Sequence, residues 1–210
     1  MHMSLPSPEA RSATTRVTRT FGFIDLCDFT DYGDAHGDDA AVAELLTLRA
    51  SVRAAAPLFG VRVDKWLGDG VMLVGVEPAP VVAAVMAICP RHGETGELPM
   101  RAGIATGPVI LLEGDDYVGR AVNTAARLCD RADAGQVLAA TESLELPDWV
   151  EEHDVEPISV RGLSEPVELV SLSAEGTGAL PSFLAPAATI LSVVDELLVR
   201  PLRGRRPKRG

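Results

Sequence analysis

Cysteine is sparse, at three residues in 210. Cys27, Cys89 and Cys129 are odd in number and form no C-x-x-C spacing, which excludes a disulfide framework and points to reduced core thiols in a cytosolic protein. Long apolar runs are absent too. A membrane-spanning helix needs ~20 consecutive apolar residues, and the longest stretch, Val81 to Cys89, is of core-helix length. The start of the chain has no secretory apolar segment: Met1 to Arg19 is polar and contains Pro6 and Pro8, as expected of a disordered lead-in. Aromatic residues make up only 4%, and no internal repeat is visible. Basic residues are few until the very end. Residues 1–199 hold all 30 acidic residues against 13 basic ones, a charge of −17, and six basic residues from Arg200 onward bring the whole chain to −11. An acidic body argues against nucleic acid as the main partner and is compatible with a cation-dependent site.

What is present is a soluble composition, 47% hydrophobic and 23% charged, in a chain long enough for one domain with a sizeable core. Its centre is the stretch VRVDKWLGDGVMLVGV, Val61 to Val76, where two β-prone runs flank Gly68-Asp69-Gly70. That pattern predicts a tight β-hairpin. Asp69 between two glycines lets the backbone approach whatever the carboxylate holds, although an Asp-Gly pair is also the commonest hairpin connector. The run FGFIDLCDFT, Phe21 to Thr30, tips the balance by placing Asp25 in an otherwise apolar strand. An unpaired carboxylate in a core strand is costly, so Asp25 wants a cation. If the two strands are neighbours, Asp25 and Asp69 meet at one edge of a sheet and can share divalent metal.

In chain order, a loop is expected over Asp31 to Asp39. A helix should follow from about Asp38 to Ala56, with Val42, Leu45, Leu46 and Val52 on its apolar face. The hairpin comes next, then a buried helix over Val81 to Arg91 and a polar loop from His92 to Pro99. A strand over Met100 to Leu112 should break at Gly107-Pro108. A third helix runs from Arg120 to Arg131, and short strands are expected at Gln136 to Ala139, Val155 to Val160 and Val167 to Leu172. This is the βαββαβ order of an α+β, ferredoxin-like (palm-type) sheet with helices on one face, extended by a C-terminal β-hairpin arm. The domain is expected over 20–173, between a lead-in at 1–19 and a tail at 174–210.

The third helix carries further chemistry. Asn123 and Arg127 are four apart and share a face, with Val122, Ala125, Ala126 and Leu128 supplying the packing. A surface pair is the ordinary reading of such residues. Here they follow a Gly-containing turn with two aspartates, which favours a phosphate-facing role, and the planar guanidinium fork suits phosphoryl oxygens.

The stretches FIDLCDFT, KWLGDGVMLV, RAGIATGPV and DYVGRAVNTAARL, in this order and separation, resemble the catalytic domain of the class III nucleotidyl cyclases, and RGLSEPVEL is similar to a segment of their bacterial members. The resemblance covers residues 20–172. It implies that Asp25 and Asp69, with the Leu26 backbone, hold two Mg²⁺ or Mn²⁺ ions. Lys65 and Asp116 would recognise adenine, Phe29 and Thr30 fall in the loop around the triphosphate, and Asn123 and Arg127 are the transition-state pair. It also implies a homodimer whose two sites each draw on both subunits. Asp28 departs from the resemblance, because the family usually has Gly there and a carboxylate near a triphosphate repels it: either Asp28 points to solvent, or affinity is lowered, or it helps to hold metal.

Base preference follows from chemistry as well. Adenine pairs an amino donor with a ring acceptor, and guanine reverses the two. A Lys that only donates and an Asp that only accepts fit adenine; a plain Lys65–Asp116 ion pair would leave the base open. The expected activity is therefore adenylate cyclase: ATP to 3′,5′-cyclic AMP and pyrophosphate by two-metal catalysis. The alternatives are a cyclase-like regulatory domain with little turnover, or a guanylate cyclase. A diguanylate cyclase is disfavoured, since no Gly-Gly-Asp-Glu-Phe turn exists. His36 and His153 are poor candidates for a general base. In the tail, Ile190, Val193, Val194, Leu197 and Leu198 line one face of a short helix ahead of the basic end. It either packs on the domain or makes weak contact with an anionic membrane from the cytoplasmic side.

Overall fold

The computed structural model describes residues 15–112, 116–159 and 165–174, with only the backbone described at 90–95. The tail helix, the basic end, most of the lead-in and part of the RGLSEPVEL segment lie outside them. Among the described residues are β1 (Thr15–Leu26), α1 (Phe29–His36), α2 (Asp38–Ala55), β2 (Arg62–Leu67), β3 (Gly70–Gly75), α3 (Pro78–Thr95) and β4 (Met100–Leu111). They are followed by β5 (Tyr117–Val118), α4 (Arg120–Arg131), β6 (Val137–Ala140), β7 (Val150–Ile158) and β8 (Val167–Ala174).

The strands form one mixed sheet in the order β2-β3-β1-β4-β6-β8-β7, with β5 beside β4. β1 lies between β3 and β4, antiparallel to both, and this is the side-by-side placement that Asp25 and Asp69 require. The α+β, βαββαβ core is as expected, and the C-terminal hairpin joins the sheet through β6 and β8.

Alternation along the central strands divides the core in two. Ile24, Leu26, Leu73, Ile104 and Met100 pack with Leu48, Val52, Val85 and Ile88 of α2 and α3. Phe21, Met72, Val74 and Ala105 face the other way, onto Ala121, Ala125 and Leu128 of α4. Each Val, Leu, Ile, Phe or Met among them, fully buried, contributes about 1.5–3 kcal/mol. The βαββαβ helices α2 and α3 cover one face, as expected, and α4, which follows that unit, packs on the opposite face. Gly103 permits this close docking, since a Cβ there would lie 2.2 Å from both Ala125 O and Cys129 N.

Several local expectations are corrected. β1 starts at Thr15, inside the stretch read as lead-in, because Thr15–Arg19 pair with Leu111–Gly107 of β4. The Asp31–Asp39 loop is largely helix α1, steadied by Tyr32 stacked on His36 at 4.4 Å. α3 runs on to Thr95. β4 is unbroken at Pro108. Ala102 N–H points to β6, donating to Gln136 O, so even-numbered amides of β4 face that side. The β6 pairing ends at Ile104, so a missing N–H at 108 loses no bond to it. In α2 the buried face is Ala41, Glu44, Thr47, Leu48, Val52 and Ala55, whereas Val42 and Leu46 are exposed.

Candidate active site

Asp25 is the last polar residue of β1 and lies opposite Gly70 of β3. Ile24 and Leu26 on either side belong to the α2/α3 core, so the carboxylate points to the α4 face. Asp69 sits in the two-residue turn between β2 and β3, after Gly68 at φ +69°, and its carbonyl accepts the Leu26 N–H at 3.3 Å. Strand pairing thus brings the two carboxylates to one sheet edge. Gly70 is required there for a reason of space. A Cβ would lie 2.9 Å from Ile24 O and 3.0 Å from Asp25 Oδ1, so any side chain would displace the carboxylate.

Arg101 completes the cluster. It extends from β4 opposite Asp25, and its Nη2 and Nε donate to Asp25 Oδ2 at 2.8 and 3.2 Å, while Nη1 reaches Asp130 O at 3.2 Å. Sequence reasoning missed it. The signal was present, because Arg101 interrupts an apolar strand as Asp25 does, and two opposite charges of that kind on one face tend to be partners.

The electrostatics show a site with surplus negative charge. Burial raises the Asp69 carboxyl above the ordinary Asp range, and the Asp25 charge adds to this, against the lowering effects of its own backbone N–H and of Arg101. The hydrogen bond from Arg101 to Asp25 holds the guanidinium proton more tightly still. Cys129 beneath, donating to Arg101 O at 3.6 Å, is pushed up to about 12, chiefly by burial, and all three cysteines are free and buried. Buried high-pKa thiols are inert.

The loop after β1 turns through Asp28 at φ +54°, the N-cap of α1, whose side chain caps nothing. Its carbonyl accepts the Tyr32 N–H at 2.9 Å. Asp28 and Thr30 are exposed and Phe29 is half-buried against the α2/α3 core. Leu26 is 2% exposed, so it can offer the site only its backbone.

Lys65 and Asp116 form an ion pair, the two being 44% and 55% exposed. That hydrogen bond raises the Lys65 ammonium above the ordinary lysine range. Asn123 and Arg127 lie on the exposed side of α4, and Arg127 pairs with Asp130 at 3.1 Å rather than with either carboxylate. The chain therefore brings together Asp25 with Asp69, and Lys65 with Asp116. Asn123 and Arg127 are presented outward from the same face of the sheet. Among the described residues no cluster of three or more His, Cys, Asp or Glu side chains forms, and no helix is long and apolar enough to cross a membrane.

No protein-family model matches the chain. Its architecture is nevertheless familiar: it superposes on the crystal structure of the adenylyl cyclase CyaB from P. aeruginosa with a TM-score of 0.68 and 28% identity, over 80% of this chain and 99% of that one. The fold is that of the class III nucleotidyl cyclase catalytic domains. A second cyclase structure, the guanylate cyclase domain of RhGC from Catenaria anguillulae in complex with GTP, shares the fold at a TM-score of 0.66 and 21% identity, over 77% of this chain and all of that one. Among curated proteins, an uncharacterized protein of Mycobacterium tuberculosis is 39% identical over 155 residues, which is 72% of this chain and 40% of that protein. A pH-sensitive adenylate cyclase of the same organism is 32% identical over 139 residues, 64% of this chain and 32% of that protein. The cyclase-fold domain thus spans well under half the length of the curated relatives it matches.

Proposed function

We propose that this chain is an adenylate cyclase, closing ATP to 3′,5′-cyclic AMP with loss of pyrophosphate at sites shared between two copies. The observation that carries the reading is the convergence of Asp25 and Asp69 at one sheet edge, beside the start of α1 and under Arg101.

The donor set suits Mg²⁺ or Mn²⁺. Two carboxylates and a backbone carbonyl are hard oxygen ligands, and such ions keep positions for water and phosphate oxygens. Burial, and after it the Asp25 charge, disfavour an ionised Asp69, and a bound cation would offset both. Metal held there would lower the pKa of the ribose 3′-hydroxyl and neutralise charge on the triphosphate.

The remaining work falls to the chain's own groups. The first turn of α1 has amide donors that no side chain caps, and a helix N-terminus favours phosphate. Arg101 can turn its fork from Asp25 to phosphoryl oxygens. Asn123 and Arg127 point outward from α4, and in a dimer they reach the site of the second copy, where Arg127 meets charge building on the α-phosphoryl group and Asn123 orients the ribose. Lys65 donates to the adenine ring nitrogen and Asp116 accepts from the 6-amino group. Positioning and neutralisation supply most of the rate.

One observation favours a second reading. The Lys65–Asp116 pair is already closed on itself, which would leave base choice open and admit GTP. Incubation with ATP or GTP and Mn²⁺, with identification of the cyclic product, separates the two, and absence of product from either indicates a binding domain without turnover. Asp25→Ala and Asp69→Ala should each abolish cyclisation with the fold retained. Most of the activity surviving in either would refute the metal assignment.

A further inference from the structure

β2 carries one residue more than its partner strand needs. Arg62 pairs with Val74 and Val63 with Leu73, but the next rung joins Lys65 to Met72, so Asp64 is the extra residue of a β-bulge. Its effect follows from alternation. Val63 and Trp66 pack with the α2/α3 core. In a regular strand Lys65, two residues after Val63, would lie on that same face. The bulge turns it to the opposite face, opposite Met72, which belongs to the α4-side core. Only there can Lys65 reach Asp116.

A second rung runs parallel to that pair. Arg62 Nη2 donates to the Tyr117 hydroxyl at 3.0 Å, with the guanidinium 5.9 Å from the ring centroid. Tyr117 is itself set edge-on against Phe21, with centroids 5.3 Å apart. Two residues of β2 therefore hold two successive residues of the β4–β5 arm. The bulge residue fastens the arrangement: the Asp64 side chain is 2% exposed and its Oδ1 accepts from Arg62 Nη2 at 2.6 Å. A buried carboxylate is tolerated only when paired, so the Arg62 contact and the bulge stabilise each other.

We infer that Asp64, Arg62 and Tyr117 form a positioning device that fixes the face and reach of Lys65 against Asp116, and through that pair sets how strongly the site discriminates adenine from guanine. The device rests on the reading of Lys65 and Asp116 as the base-recognising pair, and the test keeps the two apart.

The sequence contains two lysines, Lys65 and Lys208. In a full-length Lys208→Arg background, reductive ¹³C-methylation leaves Lys65 as the single labelled lysine, and NMR titration reads its pKa directly. Arg62→Met distinguishes positioning from simple electrostatics by sign. Removing a neighbouring positive charge alone raises the Lys65 pKa, whereas loss of alignment with Asp116 lowers it; protonation of Asp64 after loss of Arg62 would lower it too, so Tyr117→Phe, which keeps the Arg62–Asp64 pair, must show the same sign. The expected result is a fall, and a smaller fall in Tyr117→Phe, which deletes only the hydroxyl. The same variants should lose about tenfold in the ratio of kcat/KM for ATP over GTP, equivalent to about 1.4 kcal/mol. The loss should come through KM, with kcat within about threefold, because Asp25 and Asp69 are untouched. A Lys65 pKa that stays or rises in folded Arg62→Met overturns the device, as does unchanged base discrimination in both variants of a discriminating wild type. If Arg62→Met does not fold, Tyr117→Phe decides by the same criteria. A lowered Lys65 pKa in a protein that never distinguished ATP from GTP upholds the device and refutes the base reading instead.

Discussion

Replacing Gly103 by alanine tests how α4 is held. The added Cβ would stand 2.2 Å from Ala125 O and 2.2 Å from Cys129 N, where ordinary contact begins at 3.4 Å, so the helix must retreat by about 1.2 Å. The atoms struck are helix backbone and cannot rotate away. Overpacking a well-filled core costs ~1–3 kcal/mol, and this geometry belongs at the upper end. At about 2–4 °C per kcal/mol for a domain of this size, the variant should melt some 6–12 °C below wild type. The same retreat carries Asn123 and Arg127 with it, and a misplacement of ~1 Å can cost on the order of 10²-fold in turnover. Gly33→Ala is the matched control. Its Cβ would meet Ala41 Cβ at 3.6 Å, an ordinary contact, and removing a mid-helix glycine from α1 should stabilise by about 0.5–1 kcal/mol. Circular dichroism melts of the three proteins, with turnover measured alongside, make the comparison. A Gly103→Ala protein melting within about 2 °C of wild type would refute the close docking of α4.

Three further outcomes are expected. Mixing Asp25→Ala with Arg127→Ala chains should restore roughly a quarter of wild-type activity, since half the dimers are mixed and each has one whole site, and recovery should fall on dilution; no recovery despite demonstrated subunit exchange would exclude shared sites. Asp69→Asn should melt above wild type in chelator at neutral pH. The Asp69 carboxyl is raised in the folded state, chiefly by burial, so ionising it destabilises the fold as pH climbs above the ordinary value of 3.8, and the gain should fade as pH falls back to that value; an equal melting temperature would show that ionising Asp69 costs the fold nothing. For Asp28→Gly, relief of the left-handed backbone by ~1 kcal/mol is offset by the greater chain entropy of glycine, ~0.5–1 kcal/mol, so stability should hardly move. The KM for ATP should fall once the carboxylate leaves the start of α1, and an unchanged KM would place Asp28 outside the phosphate path.

The central hairpin, the neighbouring β1 and the α4 face were legible because period-2 and period-3.6 patterns there coincide with the glycines that the turns need. The errors have physical causes. The buried face of α2 is rotated from the one that apolar spacing suggests, because Glu44 is interior, its Oε2 accepting the Glu97 N–H at 3.2 Å, and spacing rules count any glutamate as outward. α1 was hidden by its glycine and aspartates, which signal loops unless a contact such as Tyr32 on His36 supplies the missing order. Arg101 escaped because an arginine in a strand can carry its guanidinium out to solvent on a long apolar stem, and only the pairing of β4 with β1 places it opposite Asp25. The opposite placement of α4 depends on Gly103, whose smallness has meaning only once the helix it admits is known.

β2 forms one outer edge of the sheet, and an edge strand exposes unpaired backbone amides and carbonyls to any passing strand. The bulge at Asp64 breaks the regular spacing of those groups, and Arg62, Asp64 and Lys65 place three charges within four residues. Arg49 and Arg53 of α2 sit over the Trp66 ring at 5.1 and 5.6 Å, covering its apolar side. A deletion of Asp64 that restored even pairing would therefore leave a flatter, stickier margin. The distortion that aims one lysine also breaks the flat, evenly spaced edge on which a second strand could pair.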